Sequence, residues 1–280
     1  MTPIDRSKFS CNNDRRIRIK STISLLGMLF LAGSIETAFA QIDPSRSLLY
    51  SGHGQQTVSK NQLLTPSKAL KAADRARGDF LRGKFDSAQK EIDIALEIAP
   101  EFAIALATQG ALDLQAGRID RAASFFQKAI DKDPSLAAAY VGLAMDLLLQ
   151  HRFKDALAPL DRADGLVPGS WYIHFETGLI QLGLGNSEAA LEQVEIAGRL
   201  ANGVPKLESG ISYLHALISL QAHDPGPARK YLENAIKCDP NGYYGVAAAR
   251  EMESTGGSAL GHFAKSEAAA AMSKINDLQR

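Results

Sequence analysis

The chain has 280 residues, is 45% hydrophobic and 22% charged, and carries zero formal net charge. That composition is too apolar for a disordered chain, and the balanced charge leaves no electrostatic footprint for nucleic acid or an anionic membrane surface. Its two cysteines, Cys11 and Cys238, are too few for a disulfide framework.

The first forty residues have the three-part layout of a secretory signal peptide. Arg15, Arg16, Arg18 and Lys20 form a positive stretch, an apolar run extends from Ile23 to Ile35, and Ala38-Phe39-Ala40 supplies a small-x-small cleavage signature. The run is shorter than the ~20 residues that span a bilayer. The expectation is cleavage after Ala40 and export to a periplasm or the exterior, with no membrane span afterwards; retention as a signal anchor is the alternative. Cleavage would remove Cys11, six basic residues and three acidic ones, leaving a mature chain of net charge −3.

Residues 41–65 read as a flexible linker. Asp43-Pro44 and Ser51-Gly52-His53-Gly54 are turn formers without helical periodicity. The first helix is expected to begin near Thr65-Pro66, with threonine as N-cap and proline at the first helical position.

Beyond that point a phrase repeats. Gly83-Lys-Phe-Asp-Ser-Ala88 leads to Ala95 and Pro100, and Gly117-Arg-Ile-Asp-Arg-Ala122 to Ala129 and Pro134. His151-Arg-Phe-Lys-Asp-Ala156 leads likewise to Ala163 and Pro168. A fixed period of 34 residues marks a repeat architecture. With Leu106, Gly110 and Phe126, then Tyr140, Leu143, Ala144 and Leu160, the pattern resembles the tetratricopeptide repeat. That resemblance implies an all-α, right-handed superhelical solenoid of antiparallel helix pairs, A and B.

The array is expected over 66–242, in units of about 69–102, 103–136, 137–170, 171–208 and 209–242. Residues 243–280 would form a degenerate repeat or capping helices. In the first unit helix A is basic (Lys68, Lys71, Arg75, Arg77), which suits an end of the array facing water. Asn202-Gly203-Val204-Pro205, followed by Lys206-Leu207-Glu208, inserts about four residues, expected as a longer turn. Pro225 and Pro227 are placed in the turn between the helices of the fifth unit. After Gly256-Gly257, the apolar residues from Leu260 to Leu278 recur at three- and four-residue steps, as in an amphipathic helix.

Small residues suit the close approaches of such a stack: Gly110, Ala144, Gly178 and Ala216 in helices A, and Ala88, Ala122, Ala156, Ala190 and Ala228 in helices B. Overfilling one would cost ~1–3 kcal/mol.

No catalytic set, metal-ligand spacing or phosphate loop occurs, so the chain reads as non-enzymatic, without cofactor or metal. His174 and His215 fall in neighbouring helices A, with ordinary packing the expected role, and Cys238 has no identifiable base beside it.

The resemblance further implies that a concave groove is lined by the second, fifth, ninth and twelfth residues of each helix A. On this chain the groove candidates are Leu114, Val141, Met145, Leu148, Tyr172, Phe175, Leu179, Leu182, Tyr213 and Leu217. Relatives that grip a C-terminal carboxylate carry Lys, Arg and Asn at the fifth and ninth positions. Here those are apolar except Arg77, which argues against such a clamp. The expected partner is a protein, as a peptide or amphipathic helix held in an apolar groove, with envelope assembly or secretion as the setting by family analogy. The alternative is a self-associating or autoinhibited module, its groove filled by a second copy or by residues 258–280.

Overall fold

The computed structural model describes residues 59–201 and 205–254. The signal segment, the linker up to residue 58 and the amphipathic stretch 258–280 lie outside these. Twelve α-helices account for the described chain, with no strand among them. They are α1 (Lys60–Leu64), α2 (Ser67–Leu81), α3 (Phe85–Ile98), α4 (Ala103–Gln115), α5 (Ile119–Lys132) and α6 (Ala137–Leu149). Then come α7 (Phe153–Leu166), α8 (Trp171–Leu184), α9 (Ser187–Ala201), α10 (Pro205–Gln221), α11 (Pro225–Cys238) and α12 (Tyr243–Ser254). The fold is thus all-α, a series of helix pairs of the solenoid kind.

Two local devices punctuate the series. The residue before each repeat-ending proline is driven out of the helical region, because the proline ring crowds its backbone. Ala99, Asp133 and Asp239 accordingly cap α3, α5 and α11 at φ −139°, −145° and −149°. Within each pair the turn is closed by a residue in the left-handed region. Gly83, Gly117, His151, Gly185 and His223 all have φ between 58° and 88°. The next amide then reaches back along the helix, as Arg118 N–H does to the Asp113 carbonyl and Asp224 N–H to that of Ser219.

Histidine at such a turn carries a strain that glycine does not. Replacing His223 with Gly should raise stability by ~0.5–1 kcal/mol, net of the added freedom of the unfolded chain. Urea unfolding reads the change. His151→Gly should give less, since the His151 ring lies edge-on to Phe153 at 5.8 Å.

Four boundaries differ from expectation. Residues Lys60–Leu64 are helical, capped by Ser59, whose Oγ accepts from Gln62 N–H. Asn61 ties this turn to the first repeat junction, donating to the Glu101 carbonyl and accepting from Ala103 N–H. Pro66 therefore caps α2 instead of opening it. Of the insertion at 202–208, residues 202–204 lie outside the described residues, while Lys206–Glu208 lengthens a helix: α10 starts at Pro205 and runs 17 residues, against 13 in α4 and α6. Proline at a first helical position has no amide to waste, so it can open the longer helix. For the same reason Pro225 starts α11, with Asp224 as its cap.

The contacts divide the described chain into two compact units, residues 59–173 and 174–254. In the first, each helix packs on the next from α2 through α7. Of the A helices, α2 buries one face only, through Ala69, Ala72, Ala73, Ala76 and Phe80, whereas α4 and α6 are buried nearly all round: only Ile104 and Gln115 in α4, and Tyr140 and Leu143 in α6, escape burial. The B helices are amphipathic, α5 burying Ala122, Phe126 and Ala129 alone. Phe125 of α5 is half-buried against the cluster of Leu106, Ala107, Ala129 and Ala139, with Arg121 and Lys128 at 5.6 and 5.1 Å from its ring centre. In the second unit α10 packs on α9, α11 and α12, and α11 on α12.

Candidate functional site

The ten groove candidates all sit on helices A, and every one is buried; Met145, the most accessible, is 5% exposed. In the first unit the structure places Leu114 on α4, Val141, Met145 and Leu148 on α6, and Tyr172 at the start of α8. Two of these meet directly, the Tyr172 hydroxyl donating to the Met145 Sδ at 3.1 Å. Trp171 stands edge-on to the Tyr172 ring at 5.7 Å.

In the second unit Phe175, Leu179 and Leu182 come from α8, and Tyr213 and Leu217 from α10. Tyr244 of α12 joins Phe175 and Tyr213, its ring 6.0 Å from the first and 6.1 Å from the second. It also lies over Gly210, where an added Cβ would come within 2.9 Å of the Tyr244 Cε2. Tyr244 was not among the sequence candidates. The signal for it is the same positional rule carried one helix further, since it is the second residue of α12.

The polar groups of the helix-A layer are mostly spoken for. Asp113 is fully buried yet ion-paired twice, with Arg118 at 2.7 Å and Arg121 at 3.0 Å. Asp79, one repeat earlier, accepts from Ser87 Oγ and Arg82, and these bonds hold its carboxyl below the usual range. Arg77, the charged exception among the groove positions, pairs with Asp74 at 3.2 Å. Lys132 and Glu101 form a further ion pair near the junction of the first two repeats.

His174 and His215 are engaged separately. His174 Nδ1 lies 2.9 Å from Gln193 Oε1, while His215 donates from Nδ1 to the Ile211 carbonyl and stacks on Tyr231 at 4.8 Å. Burial pushes the His215 pKa down, so its neutral ring is the form the fold prefers. The Cys238 thiol has its pKa raised by burial and then by the Glu208 carboxylate, the reverse of an activated nucleophile. Among the described residues no group of three or more His, Cys, Asp or Glu side chains could hold a metal ion. None of the described helices is long and apolar enough to cross a membrane.

Within each unit the helices A gather buried apolar and aromatic side chains, with no metal-ligand cluster among the described residues.

Comparison with known proteins supports the repeat reading. Tetratricopeptide repeat family models match residues 73–137 and 113–170. No curated protein matches the sequence significantly. Among solved structures, a thermophilic TPR protein of Thermus thermophilus is similar, with TM-score 0.56 and 19% identity over 65% of this chain and 97% of that one. The structure of pilF from Pseudomonas aeruginosa gives TM-score 0.53 and 21% identity over 75% and 91%. A MamA structure from Desulfovibrio magneticus RS-1 gives 0.50 and 17% over 64% and 99%. Identities this low speak for the fold alone.

Proposed function

We propose, from the tetratricopeptide repeats carried by residues 73–170, that this chain is a non-enzymatic scaffold for protein–protein interaction. Its finer reading is an apolar helix-A face, within an array over 66–242, that takes a peptide or amphipathic helix. The segment 1–40 would direct the chain to a periplasm or the exterior, with a role in envelope assembly or secretion.

One observation carries the proposal: in the second to fifth repeats the fifth and ninth helix-A positions are Ala107, Ala111, Val141, Met145, Phe175, Leu179, Tyr213 and Leu217, none of them charged, and Arg77 of the first repeat is the one exception. An ionic grip on a carboxylate would need cations at those positions. An apolar face instead gains from removing hydrocarbon from water, at ~25 cal/mol per Å² buried. The near-complete burial of these side chains adds a condition: a partner reaches them only by opening the packing around them. The second reading, in which residues 258–280 or another copy of the chain supply the occupant, meets the same condition.

Photo-crosslinking distinguishes the readings. With p-benzoylphenylalanine at Val141 or Leu217 in the full chain, expressed in its own host, the expected product is a covalent adduct to a different polypeptide. Adducts confined to the chain itself, or to a second copy, would favour the self-filled module. If neither forms while the fold is intact, the groove reading is lost. Mass spectrometry of the recovered chain also tests the export reading, by whether the mature protein begins at Gln41.

A further inference from the structure

Position ten of helix A is apolar in the second, fourth and fifth repeats, as Leu112, Ile180 and Ile218. In the third it is Asp146. This carboxylate is fully buried. Gln150 Nε2 donates to its Oδ2 at 2.6 Å, while Oδ1 has no hydrogen-bond partner among the described residues. Asp146 lies one turn beyond Gly142, the residue of α6 that meets Phe126 of α5, so both residues share one side of α6.

We propose that the packing of α5 against α6, between repeats two and three, is an acid-tightened joint: a proton on Asp146 holds it closed, and loss of that proton loosens it.

The charges around Asp146 leave its anion poorly compensated. Asp120, in the first turn of α5, repels it. Arg152, in the α6–α7 turn, attracts it, but that guanidinium is bound to Asp155 at 2.8 Å. On α4, Asp113 is committed to Arg118 and Arg121. Burial, with the Asp120 charge adding to it, outweighs the Gln150 bond and Arg152 and pushes the Asp146 pKa up to about 6.

The sign follows from proton linkage. The folded-state value lies above the ordinary carboxylate value, so the fold binds the proton more tightly than the opened chain. The packing is strongest below ~pH 4, weakens as pH rises through the interval to about 6, and stays weak above it. Between pH 5 and pH 7 the opening equilibrium should rise about tenfold. Met145, which receives the Tyr172 hydroxyl, adjoins Asp146 in sequence, so the loosening would reach the helix-A face. The inference does not depend on what that face binds.

Hydrogen exchange on the full-length chain tests it. At pH 5 and pH 7, corrected for base-catalysed intrinsic exchange, peptides from α5 and α6 should lose about tenfold in protection at the higher pH. Asp146→Asn, which keeps the shape and the Gln150 bond, should abolish that change, and Asp120→Asn should shrink it. In parallel, the carboxyl carbon of Asp146 in the unsubstituted chain should titrate near 6 by NMR. An undiminished pH effect in Asp146→Asn, or a carboxyl titrating near ~4, would overturn the proposal.

Discussion

Gly142→Ala is expected to destabilise the first unit by roughly 2–3 kcal/mol, although alanine is the better helix former by ~1 kcal/mol. A Cβ at 142 would fall well inside contact distance of the Phe126 ring, 2.5 Å from Cζ and 2.6 Å from Cδ1. The ring cannot simply retreat. The same ring edge also abuts Gly110 of α4, where a Cβ would already be 2.9 Å from Phe126 Cε1. Phe126 is thus held against two helix-A backbones, and its burial depends on both lacking a side chain. Trimming the ring should relieve the clash. Phe126→Leu costs something by itself, but the double variant should be less destabilised than the sum of the two by ~1–2 kcal/mol. Urea unfolding of the four proteins measures the coupling, and strict additivity would count against this packing.

The second large effect is expected at Gly245, in the second unit, where no trimming can help. A Cβ there would collide with the Asp239 carbonyl oxygen, and would sit 2.9 Å from the carbonyl carbon and 3.2 Å from Pro240 Cα. All three are backbone atoms. The Asp239 carbonyl is further fixed by accepting from Gly242 N–H. Gly245→Ala should therefore cost ~2–4 kcal/mol and lift α12 from α10 and α11. Tyr244 would then leave Phe175 and Tyr213. Limited proteolysis should cut between residues 239 and 250 much faster than in the parent. Asp239→Ala, which removes only a side chain, should not rescue it. Unchanged cleavage and stability would show that the approach of α12 to the 239–240 backbone is looser than the structure has it.

Much of this was legible from spacing. The prolines at 100, 134 and 168 and the alanines before them mark helix ends and close contacts, because both follow from local backbone chemistry repeated at a fixed period. Ala88, Ala122, Ala156 and Ala190 are indeed buried completely. Of the insertion expected as a longer turn at 202–208, Pro205–Glu208 is helical instead, since a proline can open a helix as readily as it can end one. The candidate site was legible as a set of positions but not as a surface. Position predicts that Val141, Met145 and Leu148 share a face of α6, yet whether that face meets water depends on everything packed around it.

Gly142 and Asp146 show the division most plainly. The sequence by itself determined the all-α repeat and the apolar character of helices such as α4 and α6, because periodicity and residue type act along the chain. The tertiary structure alone decided that the Phe126 ring lies against Gly142, that Tyr244 closes on Phe175 and Tyr213, and that Asp146 is buried facing a like charge. Those depend on the separation of helices distant in sequence. There, fractions of an ångström decide packing, and removal from water decides what a charge costs.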